Sequence, residues 1–203
     1  MAGLREMKKR RTRDQLVAAA LTLIRAQGFD KTTAAQIAEA AELSPRTFFL
    51  HFATKEDVLL ANAAERTAVG VDAIAARPPG ATVDETLLDA VRRMIDHNDS
   101  TDVADGLAAL RAELIATVPA VRARVAEHAL TAQDELADAL RAGYGDDLDP
   151  IEAAARVGAV VGAVNAAMLA ALRLGRSPAD QRDAMLRAAE FAIGSEGATS
   201  QAR

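Results

Sequence analysis

Apolar and polar positions along this chain recur mostly with the spacing of amphipathic helices. Val, Ile and Thr form no period-two runs that would favour strands, and aromatic residues make up 3% of the sequence. Pro and Gly cluster at residues 78–80, 143–145 and 175–178, which separates long helical segments from one another. The pattern predicts an all-α fold of about nine helices.

Helix starts are marked by side chains that can cap the first backbone amides. A Thr followed three residues later by Gln, Asp or Glu forms the capping-box pattern, and a Ser or Asp followed by Pro suits the first helical position. The first pattern occurs at Thr12, Thr33, Thr54 and Thr82, and the second at Ser44, Asp149 and Ser177. We expect a helix to begin at each of these places.

Four helices are predicted near the N-terminus, at residues 13–27, 34–41, 45–51 and 55–76, after a basic arm. The first carries an apolar stripe at helical spacing, and Gly28 fits the left-handed residue that often follows a helix. The stripe consists of Leu16, Val17, Ala20, Leu21, Leu23 and Ile24. This arrangement predicts a small three-helix core that Phe29 closes.

The second and third predicted helices are separated by only three residues, which is the spacing of a helix-turn-helix. The apolar positions that can face the first helix are Ile37, Ala38, Leu43 and Phe48. The other face of the third helix carries Arg46, Thr47, Phe49, Leu50 and His51. An exposed helix with such mixed side chains, flanked by donors to phosphate, is what DNA recognition requires.

Composition and charge restrict the classes of function that this chain can have. The chain has 203 residues and a net charge of −5, yet residues 1–55 hold 10 Lys and Arg against 5 Asp and Glu. Charges are screened over about 8 Å at physiological salt, so this basic segment can bind a polyanion although the whole chain is acidic. The absence of Cys excludes disulfides, thiolate metal sites and cysteine nucleophiles.

We expect a cytoplasmic protein without a membrane partner. The basic N-terminus runs into an amphipathic segment rather than into the apolar region of a secretory signal. The longest uncharged stretch, Val157–Leu172, has 16 residues and is too short to span a bilayer, so we interpret it as a buried helix.

The run TTAAQIAEAAELSPRTFFLHFATKEDVL resembles the DNA-binding domain of the TetR family of regulators, over roughly residues 8–60. The resemblance implies that the third helix reads the major groove and that Phe49, His51, Thr33 and Lys55 lie near the DNA backbone. Together with the residues of the third helix and the basic arm, the predicted DNA-binding set is Arg11, Thr33, Ser44, Pro45, Arg46, Thr47, Phe49, His51 and Lys55.

Two positions depart from the family pattern. Glu42 stands where the turn usually has Gly, and would adopt a left-handed conformation at a cost of about 1 kcal/mol if the turn keeps its usual geometry. Phe49 stands where Tyr is commonest, which removes a hydroxyl contact to phosphate and leaves apolar contact with a sugar or a thymine methyl group.

The resemblance also implies a C-terminal ligand-binding and dimerisation domain. We expect a DNA-binding domain at 1–54, a ligand-binding and dimerisation domain at 55–194 with its first helix as connector, and a disordered tail at 195–203. Apolar stripes in the second domain can enclose a cavity for a hydrophobic or amphipathic molecule, or can simply pack together. The candidate ligand-binding residues are Met94, His97, Leu110, Arg111, Leu114, His128, Asn165 and Met168.

A row of small residues at i+4 spacing runs along the helix that starts at Pro150. It contains Ala154, Gly158, Gly162, Ala166 and Ala170. Gly inside a helix costs about 1 kcal/mol relative to Ala, so close packing of another helix is expected to offset this cost. The sequence permits that helix to come from the same chain or, as the resemblance implies, from a second copy.

The resemblance implies a ligand-responsive, homodimeric transcriptional repressor that reads a pseudo-palindromic operator and is released by a small hydrophobic or amphipathic ligand. Around residues 111–128 the sequence also loosely resembles actinobacterial members that respond to long-chain acyl-coenzyme A. No catalytic residues, metal site or cofactor are expected, because the chain lacks a G-x-S-x-G elbow and a phosphate-binding loop. The alternative is a helical protein-interaction module that does not bind DNA.

Overall fold

The computed structural model describes residues 2–102 and 106–194, and the predicted tail at 195–203 lies outside them. This part of the chain forms nine α-helices and no strand, which confirms the all-α prediction. The helices are α1 (Ala2–Gln27), α2 (Ala34–Ala40), α3 (Pro45–His51), α4 (Ala63–Ala75), α5 (Val83–Asp102), α6 (Leu107–Thr117), α7 (Pro119–Tyr144), α8 (Pro150–Arg173) and α9 (Pro178–Gly194). Two short 3-10 turns cover Glu56–Leu60 and Gly145–Asp147.

Most of the predicted caps form as expected. The Thr33 hydroxyl accepts from the backbone N–H of Gln36 at 3.2 Å, and the Gln36 side chain accepts from the Thr33 N–H at 2.9 Å. The same reciprocal pair joins Thr82 and Glu85. The Thr82 backbone N–H and hydroxyl both donate to the Glu85 carboxylate, and these two hydrogen bonds lower its pKa. Ser44, Asp149 and Ser177 likewise cap the helices that Pro45, Pro150 and Pro178 begin.

Two predicted helix boundaries near the N-terminus are wrong. α1 begins at Ala2 rather than Arg13, so Thr12 lies inside the helix and the expected basic arm is helical. The residues before Thr12 include Leu, Met, Lys and Arg, which favour helices and contain no breaker after Gly3. The helix expected at 55–76 is divided into a 3-10 turn and α4. Asp57, Val58, Leu59 and Leu60 are all buried in that turn, and four consecutive residues cannot share one face of an α-helix.

The expectation that the stretch Val157–Leu172 is a buried helix is also wrong. α8 extends past this uncharged stretch at both ends to 24 residues, because the charged residues near its termini continue the helix. It is the only helix in the described ranges that is long and apolar enough to cross a membrane by length and composition, and 17% of its most apolar window is buried. Most side chains of this apolar helix are therefore half-buried or exposed within one chain.

Packing divides the chain into two units. The first comprises Met1–Asn62 and Asp102–Val125, and the second comprises Ala63–Thr101 and Ala126–Arg203. The expected functional division at residues 54 and 55 stays a prediction. A segment from the middle of the chain, however, packs with the N-terminal helices.

In the first unit, α1 provides the surface on which α2 and α3 pack. Leu16, Ile37 and Phe48 are each completely buried, and Ala20 is 1% exposed. The predicted three-helix core is therefore present, with Phe29 buried beside it at 6% exposure.

The turn between α2 and α3 has the backbone geometry expected from the sequence. Glu42 has φ = 57°, the only positive φ at a non-Gly position in the described residues. The N–H of Glu42 bonds the carbonyl of Glu39 at 2.9 Å, and the N–H of Leu43 bonds that of Ala38 at 2.8 Å. These two bonds form a Schellman motif, which satisfies carbonyls at the end of α2 and requires the left-handed residue between the helices.

Three arginines fasten the segment Asp102–Val125 to the N-terminal helices of the first unit. Arg25 donates to the carbonyl of Gly106 and Arg111 donates to that of Leu59, each at 3.3 Å. Arg124 forms a two-point ion pair with Asp57, from Nε to Oδ1 at 2.5 Å and from Nη2 to Oδ2 at 3.2 Å. Because Asp57 is 8% exposed, this pair neutralises a carboxylate that has little access to water.

In the second unit, α4, α5, α7, α8 and α9 surround one apolar cluster. Its most deeply buried members are Ile74, Leu140, Ala153, Val157 and Ala189. A polar network lies at one end: the Tyr144 hydroxyl donates to the carbonyl of Ala81 at 2.9 Å and lies 2.7 Å from the hydroxyl of Thr86.

Replacing Glu42 by Gly should stabilise the protein by about 0.5 to 1 kcal/mol, because Gly adopts positive φ without the steric penalty of a side chain. Glu42→Ala keeps that penalty and should leave the stability nearly unchanged. Denaturant unfolding of the three proteins, compared at equal m-values, checks this. An Ala variant as stable as the Gly variant would show that the turn is not strained.

Arg124→Met should lower the free energy of unfolding by about 2 to 3 kcal/mol, because the buried Asp57 carboxylate loses its charged partner. Arg122→Met removes an exposed guanidinium from the same helix and should change the stability by less than about 0.5 kcal/mol. Adding Asp57→Asn to Arg124→Met should recover part of the loss. Equal stabilities of the two Met variants would contradict a stabilising ion pair.

Candidate nucleic-acid interface

The recognition helix of the predicted helix-turn-helix is α3, and its orientation is fixed by the burial of one aromatic residue. Phe48 is completely buried, while Phe49 and Leu50 are 58% and 73% exposed. The Phe49 ring meets the Phe48 ring edge-on, with 5.3 Å between the centroids. Arg46 is exposed on the same outward side of the helix, as the sequence predicted.

The start of α3 is ordered by a polar pair. Ser44 accepts from the backbone N–H of Thr47 at 3.1 Å, and the two hydroxyls lie 2.8 Å apart. Pro45 occupies the first helical position, where its missing N–H needs no partner. Ser44 and Pro45 therefore position the helix, and both remain exposed beside Arg46.

The end of α3 is held by Arg13 of α1. Its guanidinium donates to the carbonyls of His51 at 3.1 Å and Ala61 at 2.5 Å, and it lies 4.6 Å from the centroid of the Phe52 ring. No sequence signal identifies this contact, because the acceptors are backbone carbonyls that every residue carries.

His51, the last residue of α3, is half-buried and its Nδ1 has no hydrogen-bond partner among the described residues. Burial, and then the positive charges of Arg13 and Lys9, lower its pKa below the usual 6.5. The imidazole is therefore neutral at neutral pH. It can approach a phosphate as a hydrogen-bond donor, but it adds no charge to the surface.

Two of the predicted phosphate contacts are also structural. Lys55 donates to the carbonyls of Phe29 at 2.9 Å and Thr32 at 3.1 Å, and its ammonium lies 4.2 Å from the centre of the Phe29 ring. An ammonium has three N–H groups, so one remains for an outside acceptor. The Thr33 amide and hydroxyl both donate to the Gln36 side chain, at 2.9 and 3.2 Å.

Exposed cations lie on α1 before its buried part begins. Lys8, Lys9, Arg10 and the predicted site residue Arg11 are all exposed. They bring positive charge to the unit that contains α3.

The candidate ligand-binding residues are divided between the two units. Leu110, Arg111 and Leu114 are buried in the first unit, where Arg111 donates to the Leu59 carbonyl. The others lie in the second unit and are partly buried there: Met94, His97, His128, Asn165 and Met168. Of these, Met94 and Met168 border the same apolar cluster.

A groove of about 620 Å³ lies in the second unit, at the corner between α7 and α8. It is lined by Asp138, Arg141, Ala142, Gly145, Asp146, Leu148, Asp149 and Pro150. None of the predicted ligand-binding residues lines it, and one of its carboxylates, Asp149, already caps α8. The groove therefore does not support the predicted ligand set.

Comparison with known proteins identifies the N-terminal region. Residues 16–61 match the family described as bacterial regulatory proteins, tetR family. Over 152 residues the chain is 38% identical to the HTH-type transcriptional regulator TcmR of Streptomyces glaucescens, covering 72% of this chain and 66% of TcmR. The chain thus spans just under two thirds of the length of this curated relative.

Solved structures agree with this match. Thermus thermophilus FadR, a TetR-family transcriptional repressor solved in complex with lauroyl-CoA, is 26% identical, with a TM-score of 0.53 over 86% of this chain and 91% of that protein. The fatty acid degradation regulator FadR of Bacillus halodurans shares the fold at 22% identity, with a TM-score of 0.55 over 89% and 97% of the two chains.

The exposed recognition helix, its buried anchor Phe48 and these similarities have one explanation. The chain belongs to the TetR family of bacterial regulatory proteins.

Proposed function

We propose that the protein is a homodimeric repressor that reads a pseudo-palindromic DNA operator with α3 and is released from it by a small hydrophobic or amphipathic ligand. The observation that carries the DNA-binding part is the orientation of α3. Its buried Phe48 turns Arg46, Phe49 and Leu50 outward on a surface that also carries exposed cations. An interaction module without DNA would not need this charge beside an exposed helix.

We assign the candidate DNA-binding side chains to two roles: some contact base edges, and the others contact phosphates. Arg46 can donate two parallel hydrogen bonds to guanine in the major groove, and Phe49 can contact a thymine methyl group. Thr47 offers a hydroxyl, although it also bonds Ser44. Arg11, Thr33, His51 and Lys55 then contribute contacts to the phosphates, with Thr33 releasing Gln36 when it does so.

The uncovered face of α8 supports the dimer. The small-residue row is exposed at Ala154, Gly162, Ala166 and Ala170, and half-buried at Gly158. A Cβ added at Gly162 would meet no atom of the described residues within 4 Å, so packing inside the protomer does not require this Gly. Phe191 on α9 is 78% exposed. A second copy would cover this surface and offset the cost of Gly in the helix.

The ligand class rests on a solved relative. Thermus thermophilus FadR carries lauroyl-CoA, and an acyl-coenzyme A is therefore the first ligand to test here. Such a ligand would act by binding more tightly to the conformation that cannot span two operator half-sites. We place this regulation in the cytoplasm, where operator DNA is accessible.

Arg46→Ala should weaken operator binding by about 10- to 100-fold, because a bidentate base contact is worth about 1 to 3 kcal/mol of discrimination. Its affinity for random duplex should change little. Selection from a random DNA library first identifies the operator, and titrations at fixed salt then compare the variant with Arg173→Ala, which removes an exposed charge from the second unit.

Failure of the parent protein to select any DNA sequence would overturn the proposed function. If Arg46→Ala instead binds operator and random DNA as the parent does, Arg46 does not read a base.

Gly162→Leu should dissociate the dimer, because the added side chain would block the close approach of a second helix without clashing inside the protomer. Ala68→Leu places the same side chain at an exposed position of α4 and should leave the dimer intact. Sedimentation of both variants at several concentrations checks this. A dimer that tolerates Leu at position 162 would place the interface elsewhere.

A further inference from the structure

The described side chains at the N-terminal end of α1, Leu4 and residues 7–11, are all exposed. Leu4 is 60% and Met7 is 67% exposed. The first buried residue of the helix is Leu16. This extension, residues 2–11, continues the same helix, so the packed part of α1 determines its direction.

Positive charge surrounds the last turn of the extension. Lys8, Lys9, Arg10 and Arg11 are consecutive, and successive residues of an α-helix point about 100° apart, so the four cations cover its circumference. An interfacial membrane helix would instead separate a wide apolar face from a polar one. The last turn of the extension therefore presents positive charge on all sides, which is complementary to a polyphosphate.

The extension joins the packed part of α1 next to the C-terminal end of α3. Arg13, which follows it, donates to the carbonyl of His51, the last residue of α3. Lys9 lies one turn before Arg13 on the same face, and its charge also acts on His51. The cations thus continue the surface on which α3 is exposed.

The width of an α-helix decides how such a segment can meet DNA. With its side chains a helix is about 10 to 12 Å wide, whereas the minor groove is about 6 Å wide. An extended basic arm could enter that groove, but this helix cannot. Ten residues at about 1.5 Å each cover about 15 Å, or about four base-pair steps.

We propose that the helical extension lies against the phosphates beside each operator half-site and holds the DNA there without reading its sequence. The inference rests on the proposed DNA-binding function and adds to it a second, sequence-independent contact surface. Lys8, Lys9 and Arg10 are its phosphate-binding residues.

The test neutralises these three cations in the full chain with Gln, which keeps helix propensity, as K8Q/K9Q/R10Q. The control, R122Q/R173Q/R176Q, removes three exposed charges elsewhere. Titrations against the selected operator and a random duplex are run at several salt concentrations. We expect the slope of log affinity against log salt to fall by about 5 for the first variant only, because a dimer loses six cations at about 0.9 per phosphate.

Both DNAs should lose affinity by the same factor, so that the ratio of operator to random binding is unchanged. Exchanging the flanks of the operator between A·T-rich and G·C-rich sequence should leave parent binding unchanged. A lower ratio, or a preference for A·T flanks that K8Q/K9Q/R10Q abolishes, would overturn the proposal in favour of minor-groove reading.

Two further outcomes separate the possible failures. If the parent selects no operator, the proposed function fails; if it selects one but K8Q/K9Q/R10Q behaves as the control does, only this inference fails. Vesicles of phosphatidylglycerol and phosphatidylcholine test the membrane alternative. Vesicle binding that the variant loses, with an unchanged salt slope on DNA, would assign the extension to a lipid surface.

Discussion

The geometry of the DNA-binding unit depends on burial of a few apolar side chains between helices that are too short to be stable alone. α2 and α3 have seven residues each, while isolated helices below about 12 to 15 residues are marginal in water. Their conformation must come from packing, and Ile37 and Phe48 provide it by complete burial. The face that α3 leaves exposed is thus a consequence of which face it buries. The exposure of Arg46 follows from hydrophobic packing at Phe48.

Cationic side chains then hold backbone segments of the first unit that apolar contacts do not hold. Arg13 donates to the carbonyl of His51 at the end of α3, and Lys55 donates to two carbonyls in the loop between α1 and α2; both cations also lie over aromatic rings. Helix ends and loops leave carbonyls without intrahelical partners, so these contacts satisfy groups that packing cannot. The basic character of the N-terminal segment therefore has two origins: some cations complete the fold, and others are free to meet an anion. Charge counting alone does not distinguish them.

Local signals in the sequence predicted local features correctly. The capping pair of Thr33 and Gln36, the proline start of α3 and the left-handed Glu42 each depend on residues within a few positions of one another. The predicted start of α1 was wrong because the local signals conflict. Thr12 has a capping pattern that predicts a helix start, yet the residues before it also favour a helix. The role of Arg13 and the ion pair of Asp57 with Arg124 could not be predicted, because their partners are 38 to 67 residues away. The exposed side of α3 could be predicted, whereas the DNA-binding and ligand-binding roles remain predictions.

The membership of Asp102–Val125 in the first unit affects how this protein can be re-engineered. A chimera that joins residues 1–62 to the effector domain of another regulator would remove Arg124 and leave the Asp57 carboxylate without its counter-ion. It would also take away the Arg111 donor from the Leu59 carbonyl. A transplantable module must therefore be discontinuous in sequence, because the α6 region has to stay with the N-terminal helices of the first unit.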